Sequence, residues 1–198
     1  MPNQAVPHQA VPTRPGRLIL VTGTPAAGKS TVGAALAGQL DRAIFVDGDE
    51  IAAMVVSGRV GYEPDAAPEA ARQLLLRYRG SIAVAQTYQL DGFDAVIADN
   101  VLGELLEQFI TMVLPAPLYL VVLHPAIEVI EAREMARSKS GYGDGTWQVE
   151  QLHDLVENHT TRVGLWLTNT SESVDQTVDT ILSRLDEARL DAESPTVS

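Results

Sequence analysis

The sequence predicts one α/β domain, built as a central sheet of five parallel strands with helices on both faces. Three observations carry this. A β-rich apolar run, Arg17 to Thr22, passes through a Gly/Pro loop into an Ala/Leu-rich stretch from Lys29 to Leu40. The alternation then recurs, with apolar runs at Ala43 to Asp47, Ala95 to Asp99, Leu118 to His124 and Gly164 to Leu167 and helical patterns between them. The runs are continuously apolar, as in strands buried on both faces. At 198 residues there is room for one such domain.

The first loop, Gly23-Thr24-Pro25-Ala26-Ala27-Gly28-Lys29-Ser30, has the spacing G-x-x-x-x-G-K-S and lies directly after a strand and at the start of a helix. Glycines let backbone N–H groups curl around phosphate oxygens, and the helix start adds its positive end. Lys29 is placed to reach the β- and γ-phosphates, Ser30 to ligate Mg²⁺, and Thr31 to extend the cradle. The sequence therefore predicts a three-layer P-loop NTPase fold, nucleoside-kinase-like, with ATP and Mg²⁺ as its cofactors. A ring-forming remodelling ATPase would need a further helical domain, which a chain of this length does not accommodate.

The second strand ends in Asp47-Gly48-Asp49-Glu50, two carboxylates at the carboxyl edge, where open α/β sheets bind ligands. Asp49 is expected to orient an acceptor hydroxyl and take its proton, against the alternative that it caps the next helix. Asp47 is expected to hold Mg²⁺ through water. From Pro68 onward Ala71, Leu74, Leu75, Tyr78, Ile82 and Ala85 keep helical spacing, which predicts a long amphipathic helix flanking the acceptor site. Its arginines, Arg72, Arg77 and Arg79, either line that site or face solvent, and Arg79 is the one assigned to substrate.

The third strand ends at Asp99-Asn100, with Asp99 expected on metal or substrate and Asn100 on substrate. A helix from about Ala126 to Arg137 runs into a glycine-containing stretch, residues 138–147, read as a short lid. Arg133 and Arg137, four apart, share a face and could stabilise transition-state charge, although Glu131 and Glu134 offer ordinary ion pairing. A final amphipathic helix is expected from Val174 to Leu190. His8, His124, His153 and His159 show no metal-ligand spacing and are assigned no metal.

The ordered residues resemble the chloramphenicol phosphotransferases, P-loop kinases of an antibiotic hydroxyl, from about Leu18 to Leu185. The likeness lies in the Gly23 to Ser30 loop, the acid after strand two, Ile97-Ala-Asp99-Asn-Val-Leu-Gly103, Glu131-Ala-Arg133-Glu-Met-Ala-Arg137 and a helix around Leu152 to Val156. It implies Asp49 as the base and Arg133 and Arg137 on phosphates. Asn100 stands where that family carries a second acid, and Ser140 where it carries an arginine. The Asp47-Gly-Asp49 arrangement is also similar to gluconate, shikimate and adenylylsulfate kinases, so a metabolite acceptor stays open, as does a non-catalytic ATP-binding switch. Zeta-toxin-type kinases and tunicamycin-resistance ATP-binding proteins share the framework more loosely.

A formal net charge of −12 disfavours nucleic acid and anionic membrane surfaces as partners and suits a small hydroxylated substrate. A homodimer is open. The absence of cysteine and of a secretory start agrees with a cytoplasmic protein. Residues 1–16, with the repeated Gln-Ala-Val-Pro, read as a disordered leader, residues 17–190 as the kinase domain and 191–198 as a disordered tail.

Overall fold

A computed structural model describes residues 14–63, 67–136 and 147–192. The expected leader and tail lie mostly outside these, as do Arg137 and all of the expected lid except Trp147. Gly16 already belongs to the fold: its N–H donates to the Gln89 carbonyl at 2.9 Å and its carbonyl accepts from the Gln89 amide at 2.8 Å.

The elements follow in the order β1 (Leu18–Gly23), α1 (Lys29–Gln39), β2 (Ala43–Asp47), α2 (Gly48–Ala53), α3 (Pro68–Leu90), β3 (Asp94–Ala98), α4 (Glu104–Val113), β4 (Leu118–Leu123), α5 (Ile127–Met135), α6 (Val149–His159), β5 (Leu165–Leu167) and α7 (Val174–Ser183). A 3₁₀ turn, Leu185–Ala188, and a two-residue strand β6, Arg189–Leu190, close the chain. The parallel strands lie in the order β2-β3-β1-β4-β5. Period-2 alternation divides their side chains between two cores. Leu18, Leu20, Ile97, Leu118 and Leu120 pack with Tyr78, Ile82, Phe109 and Val156 from α3, α4 and α6. Ile19, Val21, Val96, Val121 and Leu123 pack with Val32, Leu36, Val178 and Ile181 from α1 and α7. The three layers expected from the sequence are present.

The chain departs from expectation at its end. The helix expected to run to Leu190 stops at Ser183, and Leu190 instead pairs antiparallel with Leu118. The cause is tertiary: β5 covers β4 only at Val121 to Leu123, leaving the edge at Leu118 and Tyr119 to be paired by the terminal residues. The helical spacing of Val178, Ile181 and Leu185 does not register that open edge.

The topology puts the carboxyl ends of β1, β2 and β3 side by side, with Val21 opposite Ala98 and Ala98 opposite Asp47. Residues distant in sequence, Gly23, Asp47 and Asp99, therefore emerge at one edge. Among the described residues no helix is long and apolar enough to cross a membrane.

Candidate active site

The loop between β1 and α1 is shaped by left-handed backbone at Ala26 (φ 61°) and Gly28 (φ 100°). A side chain is tolerated poorly there, so Gly28 is the natural residue at the helix entrance. Gly28 caps α1 with no side-chain bond, and the helix's own first turn holds no acid. The N–H groups of Lys29, Ser30 and Thr31 have no acceptor within the helix. Orphan donors, a positive helix end and Lys29 together fit a polyphosphate. Lys29 folds over the loop, with Nζ donating to the Thr24 carbonyl at 2.7 Å.

Two further side chains hold the loop from outside. Arg133 on α5 donates from Nη1 to the Ala27 carbonyl at 3.2 Å, and Asn169 donates from Nδ2 to the same carbonyl at 3.1 Å. Asn169 is buried, and its Oδ1 has no partner. It lies two residues beyond β5 at the same sheet edge, which is the signal that could have identified it; the sequence reading passed over it.

A cleft of about 540 Å³ opens above this loop. Pro25, Ala26, Gly28, Lys29, Ser30, Thr31, Asp47, Asp49, Asp99, Asn100 and Arg133 all line it, as do Asn169, Glu172 and Thr177. Gly23, Thr24 and Ala27 lie beneath, all three buried.

Asp47, not Asp49, caps the following helix: its carboxylate accepts from the Asp49 N–H at 2.9 Å. This leaves the Asp49 side chain 74% exposed at the cleft, with Arg77 Nη1 3.4 Å from Oδ1. Arg77 also donates from Nη2 to Asp99 Oδ1, and the Asn100 N–H donates to that same oxygen at 2.7 Å. Asp99 is nearly sealed from solvent, and its other oxygen, Oδ2, is buried with no partner. Burial pushes its pKa up to about 6 from 3.8 and Asp49 adds to the rise, while Arg77, the Asn100 N–H and Lys29 pull it down. The approach of Gly48 closes the space on that side, since a Cβ there would stand 2.0 Å from Asp99 Oδ2.

Ser30, Asp47 and Asp99 all line the cleft, and their side chains offer only oxygen donors, the type that suits a hard cation such as Mg²⁺. Tyr78, buried in the core beneath, donates its hydroxyl to the Asn100 carbonyl at 2.7 Å and fixes the turn after β3.

The sequence assigned Arg79, not Arg77, to substrate, and the structure puts the other arginine at the acids. Arg77 reaches the acids, whereas Arg79 is exposed and contributes nothing to the lining of the cleft. Two residues along a helix is 200° of turn, so the pair points to opposite sides of the helix.

A second cavity of about 450 Å³ lies between residues 51–62 and α3. Val55, Val60, Tyr62 and Leu74 give it apolar walls, and Arg59, Arg72 and Arg77 also line it. Arg72 is engaged by Glu69 at 2.8 Å, and Gln73 pins the covering segment through the Gly58 carbonyl and the Val60 N–H, both at 2.9 Å. His124 and His153, far apart in the chain, come together in the fold, with ring centroids 4.8 Å apart and planes inclined by 36°.

A family model described as an AAA domain matches residues 18–162, well over half of the chain. No curated protein matches. Solved structures share the fold at low identity. An unliganded sugar kinase from a Janibacter species is 17% identical with a TM-score of 0.62, covering 88% of this chain and 96% of its own. A Mycobacterium tuberculosis APS kinase, in complex with AMPPNP and APS, is 17% identical with a TM-score of 0.62, covering 87% and 99%. A Deinococcus radiodurans tunicamycin resistance protein is 13% identical with a TM-score of 0.60, covering 88% and 98%.

Proposed function

The chain belongs to the AAA-domain family, and from that premise we propose that it is an ATP- and Mg²⁺-dependent phosphotransferase that moves the γ-phosphate to a hydroxyl of a small molecule. The observation that carries this is the meeting, in one cleft, of an anion-binding loop with an exposed carboxylate, Asp49, beside the buried Arg77–Asp99 pair. A hydrolase needs only water at the γ-phosphate; a carboxylate at the edge of the cleft, next to a second cavity, suits a larger acceptor.

In this reading the backbone N–H groups at the start of α1 and Lys29 bind the triphosphate, and Ser30, Asp47 and Asp99 would hold Mg²⁺ directly or through water. The ion, when bound, neutralises charge on the phosphate oxygens. Asp49 takes the acceptor's proton as its oxygen bonds to the γ-phosphorus, and the bridging bond breaks with its electron pair leaving on ADP. Arg133 is within reach of the phosphates through its hold on the loop, and Arg137, outside the described residues, joins it on the strength of the family resemblance. Asn100, on the wall of the ATP cleft, is assigned to the acceptor where it meets the γ-phosphate.

The acceptor occupies the second cavity, which adjoins the reacting edge through Arg77. Its apolar walls favour a partly apolar alcohol of the kind found in hydroxylated antibiotics, consistent with the chloramphenicol phosphotransferase resemblance. Arg59, Arg72 and Arg77 on the same walls favour the second reading, a metabolite that pairs a hydroxyl with an anionic group. ADP release with Mg·ATP across hydroxylated antibiotics, sugars, sugar acids and nucleosides distinguishes the two. If no compound in a broad panel stimulates release while ATP still binds, an ATP-binding switch becomes the better account.

A further inference from the structure

His153 and Glu157 lie four apart on α6 and so share a face. His124 follows the last residue of β4, and its N–H donates to the Leu167 carbonyl at 2.9 Å, which fixes it at the sheet edge. The fold brings the three together. His124 Nε2 lies 3.2 Å from Glu157 Oε2, and His153 Nδ1 lies 3.9 Å from the same oxygen. One ligand atom from each residue lies within 4.8 Å of the others.

We propose that His124, His153 and Glu157 form a binding site for a borderline divalent metal ion of the Zn²⁺ type, separate from the Mg²⁺ expected at the phosphate loop. Around a tetrahedral Zn²⁺ with ligands about 2.0 Å away, donor atoms stand about 3.3 Å apart. The His124–Glu157 pair already has that separation. The remaining closure falls to side chains on α6, whose exposures of 22% for His153 and 49% for Glu157 leave them room to turn. Two imidazoles and one carboxylate suit Zn²⁺ over Mg²⁺, which prefers oxygen ligands throughout, and leave a fourth position for water.

An ordinary histidine–carboxylate ion pair accounts for one imidazole but not for two. The two rings, with centroids 4.8 Å apart and planes inclined by 36°, bring both imidazoles to one carboxylate, a ligand set that suits a metal ion. His124 Nδ1 is buried without a hydrogen-bond partner, and Nε2 is the nitrogen turned to Glu157. Packing of the ring against Trp166, with centroids 6.1 Å apart, holds its plane. Metal at this position ties α6 to the end of β4, whose Leu123 is paired with Gly23 at the start of the phosphate loop.

The test uses the full chain, stripped of metal with a chelator and titrated calorimetrically with Zn²⁺ in excess Mg²⁺. One saturable equivalent is expected, with a rise in thermal midpoint that Mg²⁺ alone does not produce. His153→Asn and Glu157→Gln, both partly exposed positions that should fold normally, weaken binding by at least about tenfold. His159→Asn, at the separate His159–Asp154 pair of 3.4 Å, leaves it unchanged. Absence of a saturable equivalent in the wild type, or equal affinity in the His153→Asn/Glu157→Gln double variant, overturns the proposal. Neither result bears on phosphotransfer, which the assay does not measure.

Discussion

Replacing Arg77 with methionine keeps most of the apolar stem and removes the charge beside Asp99. The Asp99 side chain is 2% exposed, so its carboxylate is left buried with the Asn100 N–H as a hydrogen-bond donor. Stripping one partner from a buried ion pair costs about 3–5 kcal/mol when the remaining group stays charged. Asp99 has an escape, because it can take up a proton. Its pKa already stands at about 6 in the folded protein against 3.8.

A carboxyl group whose pKa is raised by folding contributes stability that is complete below the unfolded value and lost as pH rises through the folded one. In the wild type that loss runs from 3.8 to about 6 and amounts to about 3 kcal/mol. Without Arg77, which lowers the value, the folded pKa moves higher and the loss continues above pH 6 at about 1.4 kcal/mol per pH unit. The cost of Arg77→Met should therefore be modest near pH 5 and larger by about 2–3 kcal/mol near pH 8. Urea unfolding of both proteins without nucleotide, at several pH values, measures this directly. An equal cost at both pH values would mean that Arg77 does not hold the Asp99 charge. Asp99→Asn combined with Arg77→Met should remove the pH dependence.

Gly48→Ala places a methyl group against the Asp99 carboxylate, 2.0 Å from Oδ2 before relaxation. It should cost about 1–3 kcal/mol in thermal or urea unfolding and weaken Mg²⁺-dependent ATP binding more than metal-free binding. Arg133→Ala removes a donor from the Ala27 carbonyl and should lower nucleotide affinity in a fluorescence titration by about tenfold, while Arg79→Ala, exposed and outside the cleft lining, should leave it unchanged. Lys29→Ala should lose ATP binding without losing the fold, as followed by far-UV circular dichroism, because its ammonium donates to a loop carbonyl and lies outside both cores.

The phosphate loop was legible in the sequence because its chemistry is contiguous: one strand, eight residues and one helix supply its glycine turns, its orphan N–H groups and Lys29. Asp47, Asp49 and Asp99 were legible for a different reason, since each ends or follows an apolar strand and parallel strands bring such ends to one edge. Arg77 against Arg79 was not decidable in this way. The two flank buried Tyr78 at about 100° on either side, and only the handed packing of α3 on the sheet settles which flank meets the acids. Asn169 and the His124–His153 contact depend on strand order, which brings β4 and β5 together with α6. The end of the last helix depended on an uncovered edge of β4, a feature of the assembled sheet that local spacing does not record. Arg137 and residues 138–146 lie outside the described residues, and their roles rest on the sequence and its resemblance alone.

The central claim is that Asp49 serves an acceptor hydroxyl at the end of the ATP site. The most direct measurement is a single-turnover experiment with Mg·ATP and an acceptor that stimulates ADP release, following the phosphorylated acceptor by mass spectrometry in the wild type and in Asp49→Asn. The variant should still bind ATP but form product about 10²–10⁴-fold more slowly. Product formed at the wild-type rate in Asp49→Asn would contradict it.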